Sequence, residues 1–97
     1  MSINVNLSVR VGSLPSIAVA NDVAAALGEF FVDEQLIDDV DIAQAPGPVI
    51  VVSTPYPLII SGFYRWHDEF EARLRSAVGA VAPNGAVAID WDYPDPP

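Results

Sequence analysis

Residues 3–11 read INVNLSVRV, and the stretch alternates without a break. Ile3, Val5, Leu7, Val9 and Val11 fall on one side, and Asn4, Asn6, Ser8 and Arg10 on the other. A period of two marks a strand with one buried face and one face in water. Such a strand belongs to a sheet with a covered side and an open side, so the flanking sequence must supply the cover.

The cover comes from two helical stretches. Beyond a turn at Gly12–Ser16, with Ser16 placed as an N-cap, SIAVANDVAAALGEFFVDE (16–34) puts Ile17, Ala20, Ala24, Leu27 and Phe31 on one stripe. Gly28 weakens the stripe by about 1 kcal/mol relative to alanine and leaves the end of this helix open. Phe63–Val78 is the clearest helix, with Phe63, Trp66, Phe70, Leu74 and Val78 at three- and four-residue spacing and Gly79 placed to stop it. Its outer surface pairs Glu69 with Arg73 and Glu71 with Arg75, acid before base in the favourable order.

Between and after the helices lie the other strands. Leu36–Ala45 reads as a short strand with Val40 and Ile42 on one side and Asp39 and Asp41 on the other. Ala45-Pro46-Gly47-Pro48 is a turn, and Val49–Val52 is a β-branched run suited to a central strand. Ser53–Gly62, with its two prolines and Leu58-Ile59-Ile60, fits either a loop on the core or another short strand. After the Pro83-Asn84-Gly85 turn, Val87, Ile89, Trp91 and Tyr93 form the inward face of a last strand, and Pro94–Pro97 is a proline-rich tail. The order strand, helix, strand, strand, helix, strand predicts an α+β fold. Its expected form is a two-layer α/β sandwich, ferredoxin-like βαββαβ, with an antiparallel sheet and two helices on one face. Residues 1–97 are read as a single domain.

Charge bounds the function. Thirteen acids face four arginines, there is no lysine, and the net charge is −9. Direct nucleic-acid binding and an anionic membrane surface are disfavoured, because both need clustered basic charge. The absence of cysteine excludes disulfides, thiolate metal sites and a thiol nucleophile. With no membrane-length apolar run, and an N-terminus without a basic and then apolar signal pattern, a cytoplasmic location is expected.

The acids are grouped. No basic residue occurs between Arg10 and Arg65, an interval that holds Asp22, Glu29, Asp33, Glu34, Asp38, Asp39 and Asp41, while Asp90, Asp92 and Asp95 cluster near the C-terminus. Asp90-x-Asp92-x-x-Asp95 opens like a calcium loop, but it lacks the length, the glycine and the closing glutamate of one. No metal and no cofactor are expected. His67, the lone histidine, reads as a solvated surface residue near Glu71, and no catalytic residue is expected.

Acids on edge strands discourage pairing with other chains, which accounts for the strands but not for Asp33, Glu34 and Asp38. A continuous negative surface toward a basic partner accounts for both groups. The expected function is therefore a non-catalytic acidic module that docks and inhibits a basic protein, of the immunity, antitoxin or phage-inhibitor type. Its expected contacts are Asp33, Glu34, Asp38, Asp39, Asp41, Asp90 and Asp92, with Tyr56 and Tyr64 as exposed aromatic anchors. The alternative is a structural or assembly subunit, a homo-oligomer formed through a sheet edge or the open sheet face; a small metal-dependent hydrolase comes third.

Overall fold

The computed structural model of the chain describes residues 2–94. Asp95 and the last two prolines, which the sequence reading placed in the acidic cluster and the tail, lie outside them. Seven regular elements follow one another: β1 (Ser2–Gly12), α1 (Ile17–Asp33), β2 (Asp41–Ala45), β3 (Val49–Ser53), β4 (Leu58–Ser61), α2 (Phe63–Val81) and β5 (Ala86–Asp92). The mixed α+β character, the antiparallel sheet and the two helices agree with the sequence reading. The sheet has five strands where four were expected.

The alternating stretch is the hub. The C-terminal half of β1 pairs with β3 and β5, its N-terminal half pairs with β4, and β2 extends the sheet from β3, every ladder being antiparallel. The chain leaves β1 at Ser53, opposite Ser8, and returns at Leu58, opposite Val5. Thr54 bridges this interval. Its N–H donates to the Leu7 carbonyl at 3.2 Å, while its Oγ1 accepts from the Leu7 N–H at 3.1 Å and donates to Asn6 Oδ1 at 3.2 Å. The segment left open between loop and strand is thus both: a four-residue loop, 54–57, and then a strand.

The inward residues of β1 (Val5, Leu7, Val9 and Val11) are fully or almost fully buried against Val23, Leu27, Phe31, Phe70 and Leu74 from the two helices. α1 packs on α2, β2 and β3, and α2 packs on β5. Aromatic rings join α2 to β5: Phe63 and Trp91 meet edge to face at 5.0 Å, and Phe70 lies 5.6 Å from Trp91. Such pairs contribute about 0.5–1.5 kcal/mol each beyond the area they bury.

Four local expectations are corrected. Leu36–Ala45 is not one strand, because Ile37–Asp39 wind into a 3-10 turn and β2 begins at Asp41. Asp38 and Asp39 are therefore on the turn and not on a strand face. Gly79 does not stop α2, which runs on to Val81 with Ala82 at its C-cap. Tyr93 lies beyond the end of β5 and is 44% exposed rather than buried. Glu71 and Arg75 do not pair with each other; both reach to β5, where Glu71 accepts from Trp91 Nε1 at 3.0 Å and Arg75 Nη1 donates to the Val87 carbonyl at 2.8 Å.

Candidate functional site

The register of the ladders places the acids on the open side of the sheet. Asp41 stands opposite Ser53, Ser53 opposite Ser8, and Ser8 opposite Asp90, so these four form one row across four strands. Asp92, opposite Asn6, follows in the next row. Alternation along each strand sends all five of these partners of the row away from the helices, as it does Arg10. Asp41, Ser53, Ser8, Arg10, Asp90 and Asp92 are all exposed. With strands about 4.8 Å apart, the two ends of the row lie roughly 14 Å from each other. That span suits a protein surface and is too wide for a shared ion.

A groove opens at one corner of this face. It measures about 350 Å³ and is lined by Leu36, Asp38, Asp39, Ile60 and the run Pro55–Ile59. The local chain explains it. β2 starts opposite Ser53, the preceding residues turn away through the 3-10 turn, and β4 pairs only with β1 among the described residues. Its lining is mostly apolar, carries the carboxylates of Asp38 and Asp39, and includes the exposed Tyr56 (79% exposed) and Ile59 (76% exposed).

The other expected contacts are placed elsewhere. Asp33 lines a shallow pocket on the outside of α1 with Glu29, Val32 and Ile37. Tyr64 is exposed at the start of α2 and lines a separate pocket with Ile3 and Arg65. Glu34 is not an open carboxylate: its Oε1 accepts from Arg73 Nε at 2.6 Å, and its side chain is largely covered. That hydrogen bond, with the charges of Glu34 and Glu69 in support, raises the Arg73 guanidinium above its ordinary pKa. Glu69 is the looser partner, 3.9 Å from Arg73.

Charge is divided between the two sides of the molecule. Arg65, Arg73 and Arg75 all belong to α2, where Asp68, Glu69 and Glu71 balance them. Only Arg10 offsets the acids of the open face.

His67 departs from its reading as a solvated residue. It is half-buried, lies flat on Phe63 with centroids 4.9 Å apart, and places Nε2 3.2 Å from Asp68 Oδ1. The helical spacing Phe63–His67 carried that stacking, although the sequence reading assigned His67 to the outer surface.

No helix of the described residues is long and apolar enough to cross a membrane. No protein-family profile matches the chain, and no curated protein sequence matches it. Among solved structures the chain is similar to protein SP2199 from Streptococcus pneumoniae, with a TM-score of 0.50 and 15% identity, over 96% of this chain and 89% of that one. At that identity the likeness concerns the fold alone, a small α+β unit with an antiparallel sheet and two helices.

Proposed function

We propose that the chain is a non-catalytic, acidic protein-binding module that docks a basic protein through its open sheet face and the adjoining groove. The supporting observation is the row Asp41–Ser53–Ser8–Asp90, exposed across the sheet and extended by Asp92, with a single arginine beside it. Carboxylates fixed on a sheet attract a basic partner over a distance and orient it on approach, so they act chiefly on association rate and specificity. Tyr56 and Ile59, flanked by the carboxylates of Asp38 and Asp39, supply an apolar anchor site at the edge of the charged field. In this role the module masks the partner's basic site, as an immunity protein, an antitoxin or a phage-encoded inhibitor would, and it works in the cytoplasm.

The same reading includes the fold. β3 and β4 count as one strand interrupted by residues 54–57, which returns the chain to the four-strand ferredoxin-like plan with β1 and the interrupted strand at the centre.

The exposed pair Tyr56 and Ile59 favours a second reading, an assembly subunit that associates with its own copies through this edge. Affinity capture at low ionic strength separates the two. The first reading expects a basic protein retained by the wild type, released by salt, and absent from the Asp41→Lys/Asp90→Lys/Asp92→Lys variant. The second expects a homo-oligomer in light scattering that Tyr56→Ala/Ile59→Asp dissociates, with no other protein retained. Equal retention by the wild type and the lysine variant would remove the sheet face from the account.

A further inference from the structure

On the helical layer, across the sheet from the acids of the open face, His67, Asp68 and Glu71 bring one nitrogen and two carboxylate oxygens within 4.8 Å of one another. Their outer partners give the cluster its meaning. His67 Nδ1 lies 3.2 Å from the Phe63 carbonyl. With Nδ1–H donating to that carbonyl, Nε2 presents the ring's lone pair to a ligand. Nε2 faces Asp68 Oδ1 at 3.2 Å. A divalent ion seated between the two atoms would be held by both.

Both remaining supports come from outside the cluster. Phe63, stacked at 10° on the imidazole, sets the ring plane, and Trp91 Nε1 donates to Glu71 Oε2 at 3.0 Å, leaving Oε1 to turn toward a ligand. An imidazole with its other N–H on a backbone carbonyl, beside a carboxylate oriented by a donor, is the arrangement that surrounds metal ligands. We propose that His67, Asp68 and Glu71 hold a divalent ion of the zinc class on α2. The mixed nitrogen and oxygen set suits Zn²⁺ or Co²⁺ better than Ca²⁺ or Mg²⁺, which take oxygen ligands. Three protein ligands leave a fourth position to water. This site is independent of the docking surface, and either can fail without the other.

The test is a titration of the purified chain with Zn²⁺ and with Co²⁺, and with Ca²⁺ as the contrast, read by calorimetry and tryptophan fluorescence. One Zn²⁺ per chain is expected, with altered emission from Trp91 and a raised melting temperature. His67→Ala and Asp68→Asn should each weaken binding by about 10-fold or more. Asp68 is 86% exposed, so its substitution acts on the ion and leaves the core intact. Trp91→Phe should weaken binding through Glu71 while leaving the stoichiometry at one. Absence of Zn²⁺ binding overturns the proposal. Several weak sites that persist in both ligand variants, or Ca²⁺ bound as tightly as Zn²⁺, overturn it equally, since a diffuse acidic surface explains those results.

Discussion

At Thr54 a side-chain hydroxyl takes the place that a strand carbonyl normally fills, accepting from the Leu7 N–H while the Thr54 N–H still donates to the Leu7 carbonyl. This lets the chain swing out into the Pro55–Pro57 loop without orphaning a part-buried donor of the central strand. Thr54→Val keeps the shape and removes the acceptor, so it should lower unfolding stability by about 1–3 kcal/mol, whereas Thr54→Ser should stay near wild type. Urea unfolding of the two variants checks this; equal stabilities would show the hydroxyl to be dispensable. None of it was legible in the sequence, where Ser53–Gly62 is compatible with loop or strand, because the deciding partner lies 47 residues away. The same holds for Glu34. In sequence it is one acid among several, and only the packing of α1 on α2 brings Arg73 to it and withdraws it from the open set.

The helices were legible in their bodies and not at their ends. Periodicity marks the buried stripes, since burial follows the helical repeat directly, and Ser16 does cap α1, accepting from the Val19 N–H at 3.2 Å. The end of α1 is set by geometry that no composition signal announced. The Gln35 N–H bonds the Val32 carbonyl, the Leu36 N–H bonds the Phe31 carbonyl, and Gln35 sits at φ 61° in the left-handed region. This is the Schellman arrangement, which favours glycine at that position. Gln35→Gly should therefore raise stability by about 0.5–1 kcal/mol, the strain relieved exceeding the chain entropy lost. Gly79 is the reverse case. It lies inside α2, where an added Cβ meets nothing within 4 Å, and Gly79→Ala should be stabilising by a similar amount, about 0.5–1 kcal/mol. Thermal melts of the two variants and their double decide both; additivity is expected because the sites are on different helices. The strand reading of Leu36–Ala45 failed for a related reason. Alternation of Val40 and Ile42 with the aspartates predicts a strand, but Leu36 is committed to the helix cap, and the next residues must turn before β2 can begin.

At the scale of the molecule, the open face was the part of the site legible in advance. The alternation of β1 and β5 fixes which residues face away from the helices, so Asp90 and Asp92 could be placed from sequence; the cross-strand row that aligns Asp41 with Asp90 needed the register. The groove could not be read, because it arises where β2 departs from the sheet. Crowding of acids on one side carries a cost that does not depend on any partner. Raising ionic strength from low to physiological should raise the melting temperature, and Asp41→Lys/Asp90→Lys/Asp92→Lys should melt no lower than wild type and respond less to salt. That behaviour makes the variant a fair reporter of binding. The most direct measurement is the affinity of wild type and this variant for the captured basic protein, taken at low and high salt with melting temperatures matched. Steep loss of wild-type affinity with salt, and no measurable binding by the variant, is the predicted result. Equal affinities for the two chains, or binding indifferent to salt, would contradict docking through the acidic sheet face.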